Sequence, residues 1–308
     1  MTPKSYIVTG PTASGKSDFA HLLAQRVGGV IINCDAVQVY KGIETLSASP
    51  LADSSLIPHP SSLIPYKLFS ITDADKPLSA GIWASMARRE YDFAIADGRT
   101  PIFVGGAGFY LKALIDGMSP IPQVSDDARA AAREFAEKNL GAAFEYLCEI
   151  DEAWANKINK NDRQRIVRGI EVFRATGKTL SEWQAAPRVP MLPDAPIKIL
   201  ILPTREQLRK RIAARMPELA KSVLTEVGEL LKKNPAPNLP IMKADGIAEI
   251  SRYLRGEISF DAAVDLWRIK ICNHNMKHQY TWFKTNFAAD IIIDHIPQKE
   301  DLNEILGR

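Results

Sequence analysis

The 308 residues are 46% apolar, 24% charged and 8% aromatic, the balance of a folded globular chain, which excludes a disordered, collagenous or membrane-embedded class. At roughly 150 residues per domain, the length calls for two units. Thirty-nine Lys and Arg against 36 Asp and Glu leave a net charge of +3, so a nucleic-acid partner would be met by local basic patches and not by the chain as a whole.

Residues 6–8 read as a strand, reached without a basic leader or a long apolar stretch. A glycine-rich segment follows, and then Phe19, Leu22, Leu23 and Val27, whose spacing lays one apolar stripe of a helix against a sheet. Further short apolar runs bounded by Gly, Asp or Pro lie at 30–34, 101–104, 197–202 and 291–293, with helix-period segments between them. This alternation predicts an α/β protein on a parallel sheet. Between 119 and 196 no strand-like run survives. Helix formers fill 126–138 and 142–172, and prolines close both ends. The expectation is a core of residues 1–118 and 197–308, interrupted by a helical insertion at 119–196. Lys157, Lys160, Arg163, Arg165, Arg168, Arg174 and Lys178 face few acids there. After it, Thr204-x-x-Gln207 is a capping box that opens a basic helix.

The longest apolar run, 197–202, is far too short to span a bilayer. Cys34, Cys148 and Cys272 lie more than a hundred residues apart, without metal or redox spacing. Together these predict a soluble, untargeted protein of the reducing cytoplasm, with no membrane partner.

Chemistry is most legible at Gly10-Pro11-Thr12-Ala13-Ser14-Gly15-Lys16-Ser17, which fits G-x4-G-K-[ST] and lies directly after a strand and before a helix. Backbone N–H groups can close around phosphate oxygens there, Lys16 neutralises charge and Ser17 can hold Mg2+. The loop leaves open whether its ligand is a nucleotide or a diphosphate ester. Asp35 ends the second strand, where ligands of open parallel sheets bind. It can hold Mg2+ through water, act as general base, or merely cap the next turn. No apolar run ends in a second Asp to supply a Walker-B element. Gly105, Gly106, Ala107 and Gly108 follow another strand, as a second backbone surface or as a tight turn.

Taken together, the P-loop, Asp35-Ala-Val-Gln38-Val-Tyr40-Lys-Gly42, Gly105-Gly106 with Tyr110, Asn161-Asp162-Arg163-Gln164-Arg165-x-x-Arg168 and Gln279-x-Thr281-Trp282-Phe283 resemble the tRNA dimethylallyltransferases. The likeness runs through nearly the whole chain in the family's order. It implies a P-loop NTPase-like α/β fold with a helical insertion. The activity it implies is transfer of a dimethylallyl group from dimethylallyl diphosphate to N6 of the adenosine just 3′ of the tRNA anticodon (position 37), releasing diphosphate. Under it, Asp35 is the catalytic base, residues 10–17 hold the diphosphate with Ala107 and Arg215, and Ser17 carries Mg2+. The same resemblance assigns the tRNA anticodon stem-loop to Asp35, Ala36, Val37, Gln38, Arg129, Gln164, Arg165, Arg168, Lys277 and Gln279, in a monomer. The sequence departs from the pattern at Ala107, where the family carries Thr, at residues 246–249 and at residues 273–279. The competing readings are a small-molecule kinase, a cytokinin-type transferase acting on a free adenine nucleotide, and a non-catalytic RNA-binding remnant.

Overall fold

The computed structural model describes residues 5–52 and 64–307. In chain order, β1 (Tyr6–Thr9), α1 (Lys16–Val27), β2 (Gly29–Asn33), β3 (Tyr66–Lys67), α2 (Ala80–Ala96), β4 (Thr100–Gly105) and α3 (Gly108–Ile115) open the chain. Helices α4 (Asp126–Lys138), α5 (Leu140–Ile150), α6 (Glu152–Ala155), α7 (Arg163–Thr176) and α8 (Leu180–Ala185) follow. The rest comprises β5 (Ile197–Ile201), α9 (Arg205–Ser222), α10 (Leu224–Lys232), α11 (Ile247–Leu254), α12 (Phe260–Lys270), α13 (Met276–Asn286), β6 (Ile291–Ile293) and α14 (Lys299–Gly307).

The strands form one sheet in the order β3-β2-β4-β1-β5-β6, every pair parallel. Strand β1 is central, with Val8 opposite Val104 on one side and Ile199 on the other. All residues of β1 and β2 are buried, and strands covered on both faces are unbroken apolar runs for that reason. Phe19, Leu23 and Ala24 of α1 and Leu302 of α14 pack on Tyr6, Val8, Ile102 and Ile199. Each such fully buried large side chain contributes about 1.5–3 kcal/mol. Trp83 of α2 stacks on Tyr110 of α3 at 4.2 Å and donates its indole N–H to the Asn33 carbonyl at 3.1 Å, tying both helices to the end of β2.

The sequence runs overlap these strands, with ends displaced by one residue at β1, β2, β4 and β5. Strand β3 was not expected: two residues carry no periodicity to read.

The chain divides into two compact units, Met1–Ile115 with Met191–Arg308, and Asp116–Pro190. The expected bounds, 118/119 and 196/197, thus shift. Residues 191–194 belong with the sheet because the Met191 N–H donates to the Leu114 carbonyl and Arg88 donates to the Met191 carbonyl. In the helical unit, Ala132, Ala136, Ala143, Leu147, Ile166 and Ile170 form the core, the small alanines letting α4 and α7 approach closely. The stretch read as helix over 142–172 breaks at Asp151. Its Oδ1 accepts the Trp154 N–H to start α6, and its Oδ2 accepts the Ser181 N–H. Among the described residues, no helix is long and apolar enough to cross a membrane.

Candidate active site

The carboxyl ends of β1, β2 and β4 border a cavity of about 560 Å3 within the α/β unit. Residues 12–18 form one side. Gly15 starts α1 from the left-handed region (φ 90°) with no side-chain cap, so the first N–H groups of that helix are left for a ligand. The Ser14 hydroxyl is buried without a hydrogen-bond partner among the described residues. Two amides expected to face phosphate are already occupied: Thr12 N–H donates to Gln279 Oε1 at 2.8 Å, and Ser14 N–H closes a turn onto the Pro11 carbonyl at 3.3 Å. The cradle is therefore narrower than residues 12–17.

Lys16 Nζ reaches the Pro11 carbonyl at 3.3 Å. Burial pushes its pKa below the ordinary lysine value, Asp35 opposes that shift and Arg215 adds to it. Arg215, on α9, is likewise lowered by burial, against the pull of Asp18. Two cations with lowered pKa values on one cavity wall are a site poised for an anion.

Asp35 also lines the cavity, and the turn-capping alternative is realised as well: its Oδ1 accepts from Val37 N–H at 2.9 Å and Gln38 N–H at 3.4 Å. Its Oδ2 accepts from no described residue. Buried Asn33 holds this corner, accepting the Asp35 N–H and donating to the Asp35 and Leu68 carbonyls. Gln38 uses both Nε2 protons on the Ser47 and Ala48 carbonyls, which leaves Oε1 as its acceptor toward the cavity. A side chain at Gly105 would run into the Cys34 carbonyl, so the glycine pair is in the first place a close backbone approach. The Ala107 N–H donates to that same carbonyl at 3.2 Å, and its methyl offers no hydrogen bond.

Apolar side chains also line the cavity: Leu46, Ile212, Met216, Leu219, Trp267 and Ile271. Gly246 (φ 96°) makes this wall possible, since any side-chain carbon there would collide with the Trp267 ring. Sequence reasoning missed these residues and Asp18. The spacing Leu208, Ile212, Met216, Leu219 on α9 is the signal that could have found part of the wall.

Most of the remaining candidates lie outside the cavity. Arg129, Gln164, Arg165 and Arg168 belong to the helical unit, and none lines the cavity. Arg165 pairs with Asp162 at 3.3 Å and Arg129 with Asp126 at 3.4 Å, on the surface. Arg168 differs: it holds the nearly buried Glu171 at 2.6 Å and so has a structural duty. Ala36, though exposed, and Val37 line the cavity beside Asp35, and Lys277 is exposed outside it. Of the departures, Glu249 accepts from Lys270 at 3.2 Å, and the side chains of His274 and Asn275 lie outside the described residues. No cluster of three or more His, Cys, Asp or Glu suited to a metal occurs among the described residues.

A glycine loop opening a helix at the carboxyl end of a central parallel strand defines a P-loop NTPase-like α/β protein. Residues 38–286 match the IPP transferase family and residues 3–56 the isopentenyl transferase family. The chain is 40% identical over 284 residues to the tRNA dimethylallyltransferase of Nitrobacter hamburgensis, covering 90% of this chain and 86% of the relative. To that of Wolbachia pipientis wMel it is 37% identical over 292 residues, covering 94% of each. A solved eukaryotic dimethylallyltransferase, described as acting on tRNA, superposes with a TM-score of 0.83 over 99% of this chain and 78% of its own, at 20% identity, and shares the fold. The chain belongs to the tRNA dimethylallyltransferase family of prenyltransferases.

Proposed function

We propose that this chain transfers a dimethylallyl group from dimethylallyl diphosphate to N6 of the adenosine 3′ of a tRNA anticodon and releases diphosphate. The observation that carries this reading is a single cavity lined by the glycine loop with Lys16 and Arg215, by apolar side chains and by the Asp35 carboxylate. A diphosphate joined to a five-carbon apolar chain needs those surfaces in that proximity; a nucleotide phosphoryl donor does not. The kinase alternative also lacks its carboxylate, for β4, the strand beside β1, ends in Gly105-Gly106-Ala107.

In the proposed reaction N6 attacks C1 of the prenyl chain as the C–O bond breaks, and the bonding electron pair leaves with the diphosphate. The N6 lone pair is delocalised into the purine, so Asp35 Oδ2 takes the proton while Oδ1 keeps the carboxylate oriented through Val37 and Gln38. The free amides of the loop, Lys16 and Arg215 stabilise charge gathering on the leaving group. The Ser17 hydroxyl, with the neighbouring Asp18 carboxylate, would hold a Mg2+ beside the diphosphate. Such an ion would neutralise part of the diphosphate charge. Gln38 Oε1 is suited to accept from an adenine amino group.

A base stacked in an anticodon loop reaches Asp35 only after being flipped out. Arg129, Gln164, Arg165, Arg168 and Lys277 are proposed to meet the anticodon stem-loop. A cytokinin-type enzyme would have no use for the basic stretch from Lys157 to Lys178 in the helical unit, and a non-catalytic remnant no use for the oriented Asp35. The setting we propose is a monomer in the cytoplasm. The test is incubation with dimethylallyl diphosphate, Mg2+ and tRNA lacking the modification, followed by digestion to nucleosides. The prenylated adenosine is the expected product, and its absence at every enzyme concentration refutes the reading.

A further inference from the structure

Gln279 stands one turn into α13, yet its Oε1 accepts the N–H of Thr12, 267 positions away, at 2.8 Å. A backbone N–H can only donate, so this contact fixes which end of the carboxamide faces the loop: oxygen toward Thr12, and Nε2 with its two protons turned away. Nε2 then lies over Gly106. A side-chain carbon built on that glycine would meet Nε2 and the Gly10 carbonyl oxygen at 3.3 Å each and Lys16 Cε at 3.9 Å. Nε2 donates to no described residue, and Gln279 is part of the cavity wall.

The surroundings make that donor useful. On the Gly106 side of the cradle the next residue offers only a methyl, and the Ala107 N–H is occupied by the Cys34 carbonyl. The Thr12 and Ser14 amides are occupied too. Gln279 Nε2 is thus a side-chain donor at Gly106, with the Lys16 side chain beside it and the Ala107 N–H already occupied.

We propose that Gln279 binds the diphosphate: Nε2 donates to an oxygen on the Gly106 side while Oε1 pins Thr12 and keeps the carboxamide oriented. This rests on the function proposed above, and it moves Gln279 from the RNA contacts to the leaving-group site.

Gln279→Glu and Gln279→Leu separate the two halves of the proposal. Glu keeps an acceptor for Thr12 but turns a second carboxylate oxygen toward the anion, whereas Leu removes tie and donor together. Binding of inorganic diphosphate with Mg2+ to the full chain, without tRNA, is read by calorimetry. Expected is a loss of about tenfold or more for Gln279→Glu and a smaller loss for Gln279→Leu, since one charge-assisted hydrogen bond becomes a repulsion in the first case. Equal or tighter binding by Gln279→Glu than by Gln279→Leu overturns the proposal, as does a change confined to the KM for tRNA. In the wild-type protein, the side-chain amide resonances missing from the Gln279→Leu spectrum should shift when diphosphate is added, and unmoved resonances also overturn it. A wild-type protein that binds no diphosphate brings down the functional reading itself, an outcome distinct from wild-type binding with an indifferent Gln279.

Discussion

In the α/β unit Thr12 is tied to Gln279 and Asn33, which holds Asp35, is tied to Leu68, partners far along the chain, whereas Arg129 and Arg165 of the helical unit pair with acids three residues away. Long-range ties fix atoms before a ligand arrives, which is what proton removal and leaving-group stabilisation require. Exposed i,i+3 ion pairs are worth little and are easily exchanged for phosphate contacts, which suits a flexible polyanion. The two units thus differ in how these groups are held, by long-range ties in one and by local exposed pairs in the other.

The sharpest way to break that contrast is at Asp35. Asp35→Asn keeps an Oδ1 acceptor for Val37 and Gln38 but cannot take a proton, so single-turnover transfer should fall by about 10²–10⁴ while tRNA affinity stays near wild type. Turnover close to wild type would free Asp35 of its role.

Lys16→Met should weaken diphosphate binding by about 10–100-fold, the loss of a charge-assisted contact. It should also raise the stability of the ligand-free protein. Burial lowers the Lys16 pKa, so the unfolded chain binds more protons than the folded one between the lowered value and the ordinary 10.5, and stability climbs with pH across that window. In the variant, the pH dependence of the denaturation midpoint should lose that climb; an unchanged profile would mean that Lys16 is well solvated.

Gly246→Ala tests the apolar wall. The left-handed backbone and the Trp267 ring both oppose the new methyl, so a destabilisation of about 1–3 kcal/mol is expected in urea, with a raised KM for the prenyl donor. A stable variant with unaltered KM would detach Trp267 from the donor site.

The two arginines of the helical unit should separate most gently. Arg165→Ala is expected to reduce the salt dependence of tRNA binding by about one unit of slope with little effect on stability. Arg168→Ala should also cost stability, about 1–3 kcal/mol, because it leaves the nearly buried Glu171 unpaired. Equal melting temperatures for the two would erase the distinction.

The fold and the anion-binding end were legible because their signals are local: Gly10 to Ser17 is contiguous, and the five longer strands are apolar runs. The apolar lining of the cavity was not legible. Leu46, Met216 and Trp267 meet only through the crossovers of the sheet, and each alone reads as core. Gln279 carried no sign of its tie to Thr12, since nothing in a sequence marks an acceptor for an amide 267 positions away. Asp35 showed where two readings coexist: one carboxylate oxygen caps a turn and the other remains for chemistry. Arg168 looked like Arg165 in sequence, and the burial of Glu171 separates them.

A structure of the protein with dimethylallyl diphosphate and a tRNA anticodon stem-loop tests the central claim most directly. The account places the diphosphate on the loop amides beside Lys16 and Arg215, the five-carbon chain against Met216, Leu219 and Trp267, and the adenine amino group within hydrogen-bond reach of Asp35 Oδ2. A diphosphate bound away from the loop, or an adenine turned from Asp35, would contradict it.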